Sequence, residues 1–387
     1  MTTLLLLASA SPAQSPHSAI DRRALDELLA AAKASHSDAV VVWSHGKQVG
    51  SWYFGKAPKK IEAMSVTKSI VNLAVGRLVT QGRIASIDEP VYKYFPEWRQ
   101  GRKEQVTLRH LLNHTSGLQA NPTTEEIYRS PDFVRLALAA ELSEPPGTRF
   151  FYNNKAVNLL AGVVERASGK RMDRYLGEEL FTALGITDFG WTLDSAGNPH
   201  AMAGLQILPG DLAKLGQLVL DRGRWGGQQL IAERWFEESL RPGSKLSPIS
   251  GLLWWLTPAS TRYVIDDSVL SAFRAAGVDT AFVRKAESIR GTYESMAAFE
   301  PAVVRAFGDA WQNLVTPMLA PRRLTLARRE YGAIVGYNAN GYLGQYIAIF
   351  PESRIVAVRM VASSPSYDPK TDGFSTFLEM ARKLGAR

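Results

Sequence analysis

Two stretches dense in β-branched and aromatic residues stand near opposite ends of the chain. They constrain the fold more than any other feature. The first, AVVVWSHGKQVGSWYFG (39–55), breaks at His45-Gly46, a two-residue hairpin signal. The second, GQYIAIFPESRIVAVRM (344–360), breaks at Pro351-Glu352-Ser353. Such strands must pair, because a buried main-chain N–H or C=O without a partner is strongly destabilising. Between them a helical apolar period dominates, at 65–82, TLRHLLNHTSGL (107–118), NNKAVNLLAGVVERASG (153–169) and PGDLAKLGQLVLDRG (209–223). Ala19 to Ala34 reads as an amphipathic helix before the first hairpin, and FSTFLEMARKLG (374–385) as a helix after the second. The simplest assembly is an α/β one. Both ends of the chain build a single antiparallel sheet, the terminal helices pack on it, and a mostly helical subdomain sits alongside.

In the 387 residues we read a leader at 1–18 and one domain at 19–387, with a helical insertion at about 257–325. The leader, MTTLLLLASASPAQSPHS, has a short apolar core at Leu4 to Ala8 and then small residues to Ala10 or Ala13. That resembles the tail of a secretory signal with its basic start missing, and it predicts a periplasmic or secreted protein; the competing reading is a disordered leader or a misassigned start, with a cytoplasmic protein as the alternative. No run of eighteen apolar residues occurs, so no membrane-spanning helix is expected. The absence of cysteine excludes disulfides, thiolate nucleophiles and cysteine-based zinc sites. A net charge of +8 comes from scattered Lys and Arg, which suits a solvated basic surface rather than a nucleic-acid site.

Within EAMSVTKSIVNL (62–73), Ser65 stands three residues before Lys68 at the head of a helical pattern. Residues three apart share a helix face. A serine in the first turn also meets free N–H groups and the positive end of the helix dipole. An amine one turn on can polarise the hydroxyl, or take its proton if burial lowers its pKa. The competing reading is a capping serine beside a surface lysine. Ser44 and Lys47 repeat the spacing, but in the hairpin turn, where they would not share a face. Tyr152 and Asn154 sit two apart in PPGTRFFYNN (145–154), an extended connector in which alternate residues point the same way. Near Lys68, Tyr152 would serve as phenolate or proton shuttle, and Asn154 as a donor to a substrate carbonyl. Otherwise both are loop packing and a helix cap. Gly341 in Ala339-Asn340-Gly341-Tyr342 suggests close approach of a backbone or ligand at a strand, or an ordinary bulge.

MSVTKSI (64–70), VTLRHLLNHTSGL (106–118), PPGTRFFYNN, GDLAKLGQLVLDRGRW (210–225) and GYLGQYIAIFPE (341–352) occur in this order. Together they resemble the penicillin-recognising serine hydrolases, in particular class C β-lactamase-like esterases, amidases and peptidases. The resemblance runs from about Ala39 to Val361, the insertion excepted. YFGKAPKKIEAMSVTKS (53–69) and the Trp254-Trp255 pair look most like the branch of 6-aminohexanoate-dimer hydrolases. The resemblance implies the β-lactamase/transpeptidase-like α/β fold. It also implies Ser65 as acylated nucleophile, Lys68 as its activator, Tyr152 as proton-transfer residue and Asn154 as substrate-orienting amide. The N–H groups of Ser65 and Tyr342, beside Gly341, would form the oxyanion hole. The third motif departs from the family, with Ala339 where Lys or His is common. Weak or no β-lactam hydrolysis is therefore expected.

The expectation is a hydrolase of small ester or amide substrates that needs no cofactor and no metal. The alternative is a low-turnover sensor or binding protein that keeps the fold. His110 and His114 share a helical face, but no acidic third ligand follows at helical spacing. Trp254 and Trp255 read equally well as pocket lining or as core, and the insertion as a lid or as a surface appendage. Nothing in the sequence bears on oligomeric state.

Overall fold

β1 (Ala39–Ser44) and β2 (Lys47–Trp52) form the expected hairpin. His45 and Gly46 both take positive φ, 50° and 77°, as a two-residue turn matched to strand twist requires. The computed structural model describes residues 20–121 and 123–385, so the leader expected at 1–18 lies outside the described residues. The chain divides into two compact units. One comprises the chain through Trp255 together with Tyr337 onward, the other Leu256–Gly336.

The remaining strands of the main sheet are β3 (Trp255–Pro258), β4 (Ile334–Gly341), β5 (Gln345–Phe350) and β6 (Ile355–Met360). Their order is β2-β1-β6-β5-β4-β3. β1 pairs antiparallel with β6, from Ala39 opposite Met360 to Ser44 opposite Ile355, so the two ends of the chain meet in one sheet. Side chains alternate between two buried faces. Val41, Ile347, Ile349, Val356 and Val358 join the larger core. Val40, Val42, Ala348, Phe350 and Ala357 face the terminal helices α1 (Arg22–Ala34) and, at the far end of the chain, Phe377–Lys383. Burial on both faces explains the near-continuous apolar runs in the sequence.

On the larger core lie α2 (Thr67–Thr80), α3 (Asn154–Ser168) and α4 (Pro209–Leu220). α4 sits close on the sheet at Gly216, where a Cβ would meet Val356 Cγ1 at 2.7 Å. α3 starts at Asn153, whose side chain accepts from the Ala156 N–H, and stops at Gly169 with φ 74°. α2 is buried almost all round, as a central helix must be. The helix expected from Ser65 begins instead as a 3₁₀ turn, Met64–Val66, and becomes α-helical at Thr67. The middle of the chain also contains a small three-stranded sheet of Ile61–Glu62, Leu205–Ile207 and Phe189–Trp191, too short to register as a pattern.

A polar node fixes α2 inside this core. Asn72 is fully buried, and its amide is satisfied on every side. Oδ1 accepts from the indole N–H groups of Trp235 (3.1 Å) and Trp254 (3.2 Å). Nδ2 donates to Ser239 Oγ (3.0 Å) and the Leu252 carbonyl (2.8 Å). Asn72→Leu keeps the volume but strands all four partners. We expect a loss of about 2–4 kcal/mol in a urea melt. A loss under about 1 kcal/mol would mean that the node is not what holds the helix.

The unit Leu256–Gly336 has its own core, including Phe273, Phe282, Phe299, Val303 and Leu319. The expected helical insertion at about 257–325 needs correction on two points. It extends further along the chain, and it contains a three-stranded sheet with Thr261–Ile265 between Gly291–Tyr293 and Arg328–Tyr331. Arg328–Tyr331 carries no apolar run. Ion pairs support it instead, Arg262 to Glu330 at 2.6 Å and Arg328 to Asp266 at 2.8 Å. Among the described residues no helix is long and apolar enough to cross a membrane.

Candidate active site

Ser65 lies in the 3₁₀ turn that leads into α2, directly after Met64, which takes the left-handed φ of 48°. Such a conformation is unfavourable for a side chain of this size and needs the surrounding structure to hold it. Lys68, in the first turn of α2, donates from Nζ to Ser65 Oγ at 2.9 Å and to the Met202 carbonyl at 2.7 Å. It is 3% exposed, and burial pushes its pKa well below the ordinary 10.5. The spacing read from the sequence therefore brings the amine onto the hydroxyl.

Tyr152 reaches the same hydroxyl from the connector before α3. Burial raises its pKa to about 12, against the opposing effect of its hydrogen bond with Ser65. The residue as a whole is 36% exposed. Lys68 Nζ stands 4.9 Å from the ring centroid. The phenol is thus protonated at neutral pH, so it suits proton donation rather than action as a standing phenolate.

The connector is held in place by His114, which the sequence shows as one of two histidines four apart. Its ring lies 4.6 Å from that of Tyr152. Its Nδ1 accepts from the Asn153 N–H at 3.2 Å, and its carbonyl from the Phe151 N–H at 2.8 Å. Burial, and then the charge of Lys68, lower its pKa to about 3, so the imidazole is neutral. His110 has separate work, since its Nδ1 accepts from the Thr107 N–H in a capping box. Among the described residues no group of three or more His, Asp or Glu is placed to hold a metal.

Gly341 closes the site from the sheet. A Cβ there would stand 2.9 Å from the Ser65 nitrogen and 3.0 Å from the Ala63 carbonyl, so only glycine lets β4 approach the Ser65 backbone. Tyr342 follows, its side chain mostly exposed beside Tyr367. Ala339 packs into the core, and the third-motif side chain that reaches the pocket is Asn340. Asn154 stands at the start of α3 with Oδ1 buried and unpartnered, and it is not among the residues around the cavity. Both tryptophans border the cavity, and one of them is also core. Trp254 is core, bonded to Asn72, while Trp255 stacks over Tyr152 at 6.2 Å.

The free space enclosed by Ser65, Lys68, His114, Tyr152, Trp255 and Asn340 is about 10 Å³, room for roughly one water. A far larger cavity, about 760 Å³, opens near Trp43, Trp225 and Arg354. It brings together no nucleophile and base, so chemistry rather than volume identifies the site.

A family model described as Beta-lactamase matches residues 23–376. Esterase EstB of Burkholderia gladioli is 37% identical over 147 residues, which are 33% of this chain and 37% of the esterase. The chain spans only about a third of the length of the first curated relatives it matches, 37% and 31%. Among solved structures, a Bacteroides dorei protein provisionally described as a β-lactamase has a TM-score of 0.67 at 16% identity, covering 95% of this chain and 100% of its own. A Bacillus anthracis protein provisionally described as a 6-aminohexanoate-dimer hydrolase has a TM-score of 0.60 at 18% identity, covering 93% and 82%. At such identities the structural likeness is one of fold.

Proposed function

Since the chain belongs to the β-lactamase family, with its β-lactamase/transpeptidase-like fold, we propose that it is a serine hydrolase cleaving small esters or amides through an acyl-enzyme on Ser65. The observation that carries this reading is the 2.9 Å contact between Ser65 Oγ and a buried amine whose pKa burial has lowered. Lys68, when neutral, takes the hydroxyl proton as Oγ attacks the carbonyl carbon. The oxyanion is received by the N–H groups of Ser65 and Tyr342, which Gly341 allows to converge. Tyr152, still protonated, gives its proton to the leaving alkoxide or amine and regains one from Lys68. Water then attacks the acyl carbon by the same path in reverse, releasing the acid and restoring Ser65.

The third motif presents Asn340, not a cation, to this cleft, and Ala339 is buried in the core. A substrate carboxylate would find no cationic partner there, which supports neutral esters and amides over β-lactams. The alternative is a binding protein with little turnover, favoured by the water-sized space at the nucleophile. A fluorophosphonate probe separates the two. We expect stoichiometric labelling, mapped by peptide mass to Ser65, together with sustained hydrolysis of p-nitrophenyl butyrate. Labelling without turnover would leave the binding protein standing, and labelling at another residue would remove Ser65 from the chemistry.

A further inference from the structure

Arg359 lies on β6 and is fully buried. Its same-face neighbours, Ile355 and Ala357, are apolar, as the period of a strand facing the terminal helices requires. A guanidinium at that position is a heavy desolvation burden. Burial lowers its pKa to about 10, although Asp372 and Asp38 act in the opposite direction. Its acceptors are hydroxyls and main-chain carbonyls. Nε donates to Ser37 Oγ at 2.7 Å, and Nη2 to the carbonyls of Ser35 (2.8 Å) and Asp372 (2.6 Å). Nη1 donates to the carbonyls of Gly344 (2.8 Å) and Leu343 (3.3 Å).

The last two bonds are the informative ones. Leu343 and Gly344 both take left-handed φ, 69° and 79°. Leucine strongly disfavours that region, so the turn holds only if its surroundings determine it. The guanidinium rests directly on the turn, since a Cβ on Gly344 would fall 2.2 Å from Arg359 Nη1. The far side is clamped by Gln345, fully buried, whose amide bonds both ways with Val361, at 2.5 and 2.9 Å. This turn follows immediately on Gly341, which abuts the Ser65 backbone, and on Tyr342.

We propose that Arg359 is a positioning residue for the oxyanion hole. Its buried guanidinium holds the strained Leu343–Gly344 turn, and so sets the direction of the Tyr342 N–H toward a carbonyl bound at Ser65. The inference rests on the acyl-enzyme reading above. Oxyanion donors are aimed at charge that exists only in the transition state, so a small rotation of one lowers kcat and leaves ground-state binding largely alone.

The test uses the full chain in two variants. Arg359→Lys keeps the charge but cannot span five acceptors at once. Ser37→Ala removes the Nε acceptor, together with a long contact to Ser35 Oγ at 3.5 Å. In Arg359→Lys, kcat per fluorophosphonate-titrated site on p-nitrophenyl butyrate should fall about 30–100-fold, with KM within about threefold. The dissociation constant of phenylboronic acid, a tetrahedral adduct on Ser65, should rise by the same factor. Ser37→Ala should show the same covariation at about threefold, and it decides the matter if the lysine variant does not fold. A merely structural arginine would lower the melting temperature and the fraction of titratable sites, leaving kcat per site and boronate affinity at wild-type values. That result overturns the proposal, as does a fall in kcat without the matching loss of boronate affinity. Wild-type protein that fails to label at Ser65 would sink the acyl-enzyme reading itself, whereas normal labelling with unchanged kcat per site in both variants would sink only the role of Arg359.

Discussion

Ser65→Ala is expected to reduce ester turnover by about 10⁴-fold or more, with folding intact. The hydroxyl makes no capping bond to the helix, and its bonds are with Lys68 and Tyr152. Under the proposed mechanism, removing it deletes the atom that forms the acyl bond and leaves the helix untouched. Lys68 keeps its bond to the Met202 carbonyl, so the amine is not orphaned. The proposed oxyanion donors would survive, because they are main-chain groups, and would account for whatever residual rate remains. The measurement is kcat on p-nitrophenyl butyrate beside a thermal melt. A melting temperature like wild type together with turnover above about one-tenth of wild type would show that another group does the chemistry.

Lys68→Met should be nearly as damaging, about 10³-fold or more in kcat, because general-base assistance to a hydroxyl is lost. Stability should move the other way. A lysine at 3% exposure bears a desolvation burden that methionine of similar length does not. The pH dependence gives a second handle. Burial lowers the amine's pKa below 10.5 in the folded protein, while in the unfolded chain the amine titrates near that value. Between the two pKa values the unfolded state binds more protons, so stability rises with pH across that window and is weakest below it. In Lys68→Met that part of the slope should vanish. Catalysis follows the same group, so wild-type kcat/KM should climb with pH through the lowered pKa and then level off. Urea melts and kcat/KM profiles across pH, on both proteins, check this. A catalytic limb that titrates where a free lysine does would argue against a buried, neutral base.

These two residues were legible in the sequence because their relation is local. Three residues on a helix put Ser65 and Lys68 on one face whatever the rest of the chain does, and the 3₁₀ start of the segment did not disturb it. The sheet from both ends was legible for a similar reason. Runs such as AVVVW and QYIAIF bury on both faces and have to pair. Tyr152 was found because its neighbours in the sequence match a motif, and its distance from Ser65 came only with the fold.

The rest depended on contacts between distant segments. The second acceptor of Lys68 is a main-chain carbonyl at Met202, which no side-chain pattern can announce. Asn72 reads as one more position in a buried helix until Trp235 and Trp254 arrive from elsewhere to use its amide. Neighbouring tryptophans went to different places, one into the core and one over Tyr152. Asn340 and Ala339 exchanged the roles the motif suggested, because strand alternation decides which of two adjacent residues faces the cleft. Arg328–Tyr331 forms a strand that its charged composition conceals, since ion pairs with facing segments stand in for an apolar run.

By itself the sequence determined the hairpins, the principal helices and the pairing of a serine with a lysine, since these follow from spacing within a few residues. The tertiary structure alone decided that the amine is buried, which lowers its pKa, and that a phenol meets the same oxygen. It also decided that a strand ending in Gly341 presses on the Ser65 backbone, with Arg359 against the turn that follows. Desolvation and hydrogen bonding depend on which atoms come within a few ångströms of one another, and that proximity exists only once segments far apart in the chain have packed together.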